Sequence, residues 1–208
     1  MKTELISAAH PSAIAHTLDV LYHGGLVVFP TDTVYGLAAL PFQAQFVEGL
    51  YVVKGRNSQK AIAILLGRME DLDQVASSMS PMAMRLAKRF WPGPLTLVVP
   101  RHPNLPSMLT PDNTIGVRMP DHPVALELLL QSGPLAVTSA NLSGKENTIT
   151  AREVLSQLKG RVHLVLDGGR VQGGIPSTVV DCTSEQPVIL RKGPITLEVI
   201  QAELLTEP

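Results

Sequence analysis

Cysteine is almost absent: Cys182 stands alone in 208 residues, which excludes an internal disulfide and any metal site built on paired thiolates. Aromatic side chains make up only 4% of the chain, too few to interleave with basic residues as a stacking platform for nucleic acid does. An excess of one charge is missing as well. The 17 Lys and Arg against 18 Asp and Glu leave a formal net charge of -1, so nothing pulls the whole molecule toward a polyanion, and any anion site must be local. No window approaches the roughly 18 apolar residues of a membrane span. The amino-terminal MKTELISAAHPSAIAH has no apolar signal core. A cytoplasmic protein without a membrane partner is expected. Glycine-rich phosphate cradles are also lacking: there is no GxxxxGK[ST], and no GxGxxG follows a strand. A phosphate site in this chain has to be built from basic side chains and Ser, Thr and Asn donors.

What is present is a 45% apolar chain, enough for one sizeable core and one domain over residues 1–208. The pattern alternates between helix and strand. PSAIAHTLDVLYHGG spaces Ile14, Leu18 and Leu21 as a helix and stops at Gly24, FQAQFVEGLYVV puts Phe42, Phe46 and Leu50 on one helical face, and PMAMRLAKRFW does the same with Met82, Leu86 and Phe90. HPVALELLLQSG, AREVLSQLKG and TLEVIQAELL read as further helices. LVVF, AIAILL, PLTLVV, TIGVR, LAVTS, HLVLD, STVVD and PVILR read as strands. Strands outnumber helices in the middle of the chain, which favours an α/β fold with a mixed, twisted sheet over a strictly alternating parallel one.

Chemistry-bearing residues concentrate where strands end, the usual ligand position in such sheets. FPTDTVYGLAA places Thr31, Asp32, Thr33 and Tyr35 at the mouth of LVVF, more polar groups than a turn needs. Lys54 and Arg56 follow the second helix as exposed cations at its exit. Arg118 ends TIGVR inside a buried strand, where an unpaired guanidinium is costly, so it needs an anion: a ligand or an internal carboxylate. TSANLSG brings Ser139, Asn141 and Ser143, either as a capped turn or as ligand donors. Arg191 closes PVILR. The run Arg85, Lys88 and Arg89 reads as a solvated helix face. Composition and spacing reach an α/β protein with an anion-binding cleft and go no further.

The same residues carry a resemblance. FPTDTVYGLAA, KGR at 54–56, WPGPLTLVV at 91–99, TIGVRMPDHP at 114–123, TSANLSG at 138–144, STVVD at 177–181 and ILRKG at 189–193 together resemble, in order and spacing, the YrdC-like family of threonylcarbamoyl-AMP synthases in its short form. The family's KxR…SxN signature corresponds to Lys54, Arg56, Ser139 and Asn141, which the resemblance implies are catalytic. It implies an open, twisted mixed sheet with helices packed on it and a large concave basic cavity. The implied reaction condenses L-threonine, bicarbonate or CO2, and ATP with Mg2+ into threonylcarbamoyl-AMP and pyrophosphate, with no metal site of the protein's own. The product feeds the t6A modification of tRNA through a downstream threonylcarbamoyl transferase. By position Arg56, Lys60, Thr114, Ser139, Asn147 and Arg191 match ATP contacts. Thr33, Arg118 and Ser177 match threonine contacts.

The chain departs from the family pattern at Asn57, where proline is common, and at Asn147, where serine is usual. It departs again at Leu65, where some members carry a histidine, and at Lys60, where asparagine occurs. Two rival readings stand beside the synthase. One is a non-catalytic module for tRNA or other structured RNA, using Arg85, Lys88 and Arg89. The other is an inactive paralogue of the same fold.

Overall fold

The computed structural model describes residues 1–55 and 57–205. Among these, ten strands form one sheet: β1 (Glu4–Ser7), β2 (Val27–Phe29), β3 (Gly36–Ala39), β4 (Ala63–Leu65), β5 (Leu95–Pro100), β6 (Thr114–Arg118), β7 (Leu135–Ser139), β8 (Leu164–Asp167), β9 (Thr178–Asp181) and β10 (Val188–Arg191). Their order is β1-β8-β2-β3-β7-β4-β6-β5-β9-β10, with parallel and antiparallel ladders mixed as expected. The helices are α1 (Ala13–Tyr22), α2 (Ala44–Lys54), α3 (Leu72–Val75), α4 (Pro81–Phe90), α5 (Pro123–Ser132), α6 (Ala151–Leu158) and α7 (Leu197–Leu205). No described helix is long and apolar enough to cross a membrane.

Local chemistry starts the helices where the sequence permits it. Ser80 caps α4 by accepting from the Ala83 N–H at 3.1 Å, with Pro81 in the first turn where its missing N–H costs nothing. Thr150 caps α6 by accepting from the Glu153 N–H at 3.2 Å, and Glu153 reaches back to the Ile149 N–H at 2.7 Å.

Two strands and one helix escape the pattern reading. β1 is a four-residue edge strand, largely exposed, and β3 is Gly-Leu-Ala-Ala, a sequence of low intrinsic strand preference held between β2 and β7 by tertiary pairing. The short α3 has too few residues to show a period. The buried face of α2 is also shifted from the expected one: Val47, Leu50, Tyr51 and Lys54 point inward, while Phe42 precedes the helix and is exposed. On α4 the inward face is Ala83, Leu86 and Ala87, flanked by Met82 and Phe90 rather than formed by them.

Period-two alternation assigns every strand residue to one of two faces. Ile64, Leu95, Leu97, Val99, Ile115, Val117 and Ala136 enter a large core together with residues of α2, α4, α6 and α7. On the opposite face, α1 and α5 cover the β8, β2 and β3 region through a second core containing Val27, Phe29, Ala38 and Leu164. Beyond them the rungs Ala63–Val137, Val98–Gly116, Thr96–Val179 and Gly36–Ser139 line an open cavity instead of a third packed layer.

Small residues deepen that cavity. A Cβ on Gly116 would lie 3.1 Å from the Thr96 Cγ2, and one on Gly36 would lie 2.8 Å from the Val137 Cγ1. Concavity therefore follows from side chains left out of one half-face.

Adjacent β5 residues should report this asymmetry. Leu97→Ala, in the packed core, is expected to cost about 2–5 kcal/mol. Val98→Ala, on the cavity face, should cost about 1 kcal/mol or less. Urea denaturation of both variants checks the assignment; equal costs would mean that both faces are packed.

Candidate active site

The half-covered face encloses about 370 Å³, within the usual range for a small-molecule site. Its wall carries Thr33 from the loop after β2, Thr114 and Arg118 from the two ends of β6, Ser139 from the end of β7, and Asn147 from the loop before α6. Ser177 and Arg191, next to β9 and at the end of β10, close the far side. Seven residues expected from six separate segments thus meet in one cavity. Arg118 and Arg191 supply positive charge to the described wall, and Asp112 supplies one carboxylate.

Arg118 is 5% exposed, and its charge is met from within the chain. Its Nη2 is bonded to Asp32 Oδ1, its Nη1 donates to Thr33 Oγ1 at 3.0 Å, and its Nε donates to the Gly93 carbonyl at 2.9 Å. The internal carboxylate left open by the sequence is Asp32, which also accepts the Asp121 N–H at 3.1 Å. Burial lowers the guanidinium pKa, and Asp32 opposes that shift without cancelling it; an arginine side chain stays protonated in a protein. The polar crowd in FPTDTVYG is thereby explained: Asp32 and Thr33 hold an arginine delivered by another strand. Thr31 steadies that loop, donating to the Val34 carbonyl at 2.6 Å and lying 3.1 Å from Thr33 Oγ1. Tyr35 anchors its far end by donating to the Gly169 carbonyl at 2.6 Å. Burial and the neighbouring Asp167 raise the Tyr35 pKa, so its phenol stays protonated.

The second cation departs from expectation. Lys54 is no exposed helix-exit charge but is 2% exposed, and it is not on the cavity wall. Its ammonium is bonded to the Ser139 carbonyl, and donates to the Asn141 carbonyl at 2.7 Å and to Asn141 Oδ1 at 3.1 Å. Its own carbonyl accepts the Ser143 N–H at 3.0 Å. The inward turn of α2 puts Lys54 in line with Val47, Leu50 and Tyr51, which a reading of Phe42, Phe46 and Leu50 could not foresee. Asn141 is likewise committed to the loop: its amide donates to the Leu142 and Lys145 carbonyls at 3.1 and 2.6 Å, and its Oδ1 accepts the Ser139 hydroxyl at 2.6 Å. Lys54 and Asn141 together hold Ser139, which alone of the three lies on the wall.

Arg56 lies outside the described residues. Lys60 is not among the wall residues, although Gln59 and Ala61 on either side of it are; its carbonyl accepts the Tyr51 hydroxyl at 3.3 Å. Leu65 is on the wall and offers it an apolar surface.

Polar wall residues also escaped the pattern reading, Thr96, Thr110, Asp112 and Gln59 among them. Thr96 is the one hydroxyl within PLTLVV, a signal visible only once the strand's two faces are told apart. Asp112 accepts from Thr114 Oγ1 at 2.6 Å, the Thr114 N–H at 2.9 Å and Thr110 Oγ1 at 3.0 Å. These bonds, led by the Thr114 hydroxyl, hold its carboxyl below the usual range. Gln59 sits in the turn after Arg56, where no period identifies it.

The sequence profile of the Sua5/YciO/YrdC family, described as telomere recombination, matches residues 19–193. The chain belongs to this family. Among its relatives, the threonylcarbamoyl-AMP synthase of Pyrococcus abyssi is 42% identical over 180 residues, covering 86% of this chain and 53% of that protein. The chain thus spans about half the length of that relative. A putative threonylcarbamoyl-AMP synthase of Mycobacterium tuberculosis is 40% identical over 208 residues, covering 98% of this chain and 95% of its own length. The crystal structure of P. abyssi Sua5 complexed with L-threonine superposes with a TM-score of 0.92 at 37% identity, covering 98% of this chain and 61% of that one. The mixed α/β fold expected from the resemblance is the fold of this Sua5/YciO/YrdC chain.

The buried cation and ion pair carry stability consequences. Lys54→Ala leaves three buried carbonyl oxygens without their charged donor and should cost about 2–3 kcal/mol. Asp32→Ala strands the buried Arg118 charge and should cost about 3–5 kcal/mol. Chemical denaturation measures both, and a near-neutral result for Lys54→Ala would return it to the surface role first expected.

Proposed function

We propose that this Sua5/YciO/YrdC chain is an L-threonylcarbamoyladenylate synthase, acting as one unit over residues 1–208. The observation that carries the reading is the meeting, in one cavity, of the residues matched to both substrates. Thr33, Arg118 and Ser177 stand for threonine, and Thr114, Ser139, Asn147 and Arg191 for ATP. The relatives named as synthases support the same chemistry.

In this reading the threonine amine attacks CO2, derived from bicarbonate, and loses a proton to form an N-carboxylate. A carboxylate oxygen then attacks the α-phosphorus of ATP, and the bond from that phosphorus to the bridging oxygen of the β-phosphate breaks. Threonylcarbamoyl-AMP and pyrophosphate result. Both partners of the phosphoryl-transfer step are anionic, so the protein's work is to align the groups and neutralise charge. Arg118, fixed by Asp32, orients the amino acid. Arg191, bonded to Ser177 of the threonine set, serves the phosphates. Ser139 is presented to the nucleotide by a loop that Lys54 and Asn141 hold in shape, so the two signature residues act through position. Arg56 is assigned to the triphosphate by its place in the signature.

Mg2+ would arrive on the triphosphate and neutralise its oxygens. The donor set fits such a delivery: hydroxyls, guanidinium groups and the Asp112 carboxylate line the cavity. The product would pass to a threonylcarbamoyl transferase acting on tRNA.

The RNA-binding alternative is weakened by two ion pairs. Arg85 and Arg89 of the basic α4 face lie 3.3 and 3.4 Å from the Glu203 carboxylate of α7, so part of that charge is answered within the chain.

The test is direct. Purified protein incubated with ATP, Mg2+, bicarbonate and threonine is expected to release pyrophosphate and yield threonylcarbamoyl-AMP by mass spectrometry. Release must depend on both threonine and bicarbonate; ATP hydrolysis indifferent to threonine would overturn the assignment. Arg191→Ala should lower the rate by at least roughly tenfold, as loss of a charged donor to a phosphate does.

A further inference from the structure

Ser177 and Arg191, assigned above to threonine and ATP, form a hydrogen-bonded set with Thr96, to which no substrate role has been given. Thr96 Oγ1 lies 2.7 Å from Ser177 Oγ. Arg191 donates to the same Ser177 oxygen from Nη2 at 3.0 Å, and to the Ser177 carbonyl from Nε at 3.0 Å. Thr96 and Ser177 are both buried, and all three residues line the cavity.

Hydrogen counting gives the set a definite polarity. The two hydroxyls own two hydrogens, and one of them lies between the two oxygens. The other has no acceptor among the described residues. If Thr96 donates to Ser177, the lone pairs of Ser177 are taken by Thr96 and Arg191, and the Ser177 hydrogen is left over. If Ser177 donates to Thr96, the Thr96 hydrogen is left over. Either way the pair offers the cavity one hydrogen beside a guanidinium, and so demands an acceptor.

We infer that Thr96 and Ser177 form a two-hydroxyl oxyanion subsite, with Thr96 as a partner that keeps it a donor and can supply the hydrogen itself. Its ligand is an oxyanion beside Arg191: a carboxylate-type oxygen of the amino-acid substrate or a phosphate oxygen of the nucleotide. This rests on the proposed synthase reading for its ligands, while the donor geometry stands without it. Both residues line the cavity, and the missing Cβ of Gly116, which would lie 3.1 Å from Thr96 Cγ2, leaves space beside Thr96.

Redundancy between the hydroxyls gives the test its form. Isothermal titration of threonine and of ATP is measured on wild type, Thr96→Val, Ser177→Ala and the double variant. Val is isosteric with Thr and suits a strand, so β5 should persist, and thermal melts monitor it. Each single variant keeps one donor and should weaken the affected ligand by roughly 5-fold. The double variant has none and should weaken it by roughly 100-fold, well beyond the product of the single losses. Thr96→Ser in the Ser177→Ala background should bind like Ser177→Ala alone, because the hydroxyl at residue 96 is kept. The ligand that responds, threonine or ATP, identifies the oxyanion. A double-variant loss no greater than the product of the singles for both ligands overturns the subsite. If wild type binds neither ligand, the synthase reading falls; inorganic phosphate then probes the subsite, and an equal phosphate affinity in wild type and double variant overturns it too.

Discussion

The buried charge of Arg118 is the constraint on which the site depends. A guanidinium at the end of a central strand has to be answered by an anion and by acceptors for its N–H groups. Asp32, Thr33 and the Gly93 carbonyl provide them. Those partners come from segments far apart in the chain, so satisfying one side chain fastens the loop after β2 and the turn before β5 around the end of β6. The wall of the cavity is the consequence. Part of the guanidinium's five-donor fork remains for a ligand, held at an angle that its partners dictate.

A second buried cation does for the other rim what Arg118 does for the first. Lys54 ends α2 inside the protein and gathers the carbonyls of Ser139 and Asn141, and the Asn141 amide stitches the same loop to Leu142 and Lys145. Signature residues that look alike in sequence therefore divide their work. Ser139 faces the cavity, while Lys54 and Asn141 face Ser139. Charge is spent inside the protein to make a loop rigid, and rigidity is what a reaction governed by alignment requires.

Much of this was legible from local pattern. Most strands were visible because apolar runs bounded by turn residues leave few alternatives, and the mixed sheet followed from their number. The strand-end polar groups were visible because an apolar sheet has no other use for them. β3 was not, since Gly-Leu-Ala-Ala becomes a strand only through its neighbours. The inward turn of Lys54 was not, because a lysine at a helix end satisfies the dipole equally well in water. Thr96 was hidden because both faces of β5 are apolar in composition, and only one of them is covered.

Sequence by itself determined the family, most of the strand-and-helix inventory and the set of polar residues available for an anionic ligand, because residue type, period and spacing are local properties of the chain. Tertiary structure alone decided which of those residues share a wall, which are consumed in holding it, and that half of one sheet face stays open. Those outcomes depend on strand order and on pairings such as Arg118 with Asp32, whose partners lie dozens of residues apart and are matched only when the chain has folded.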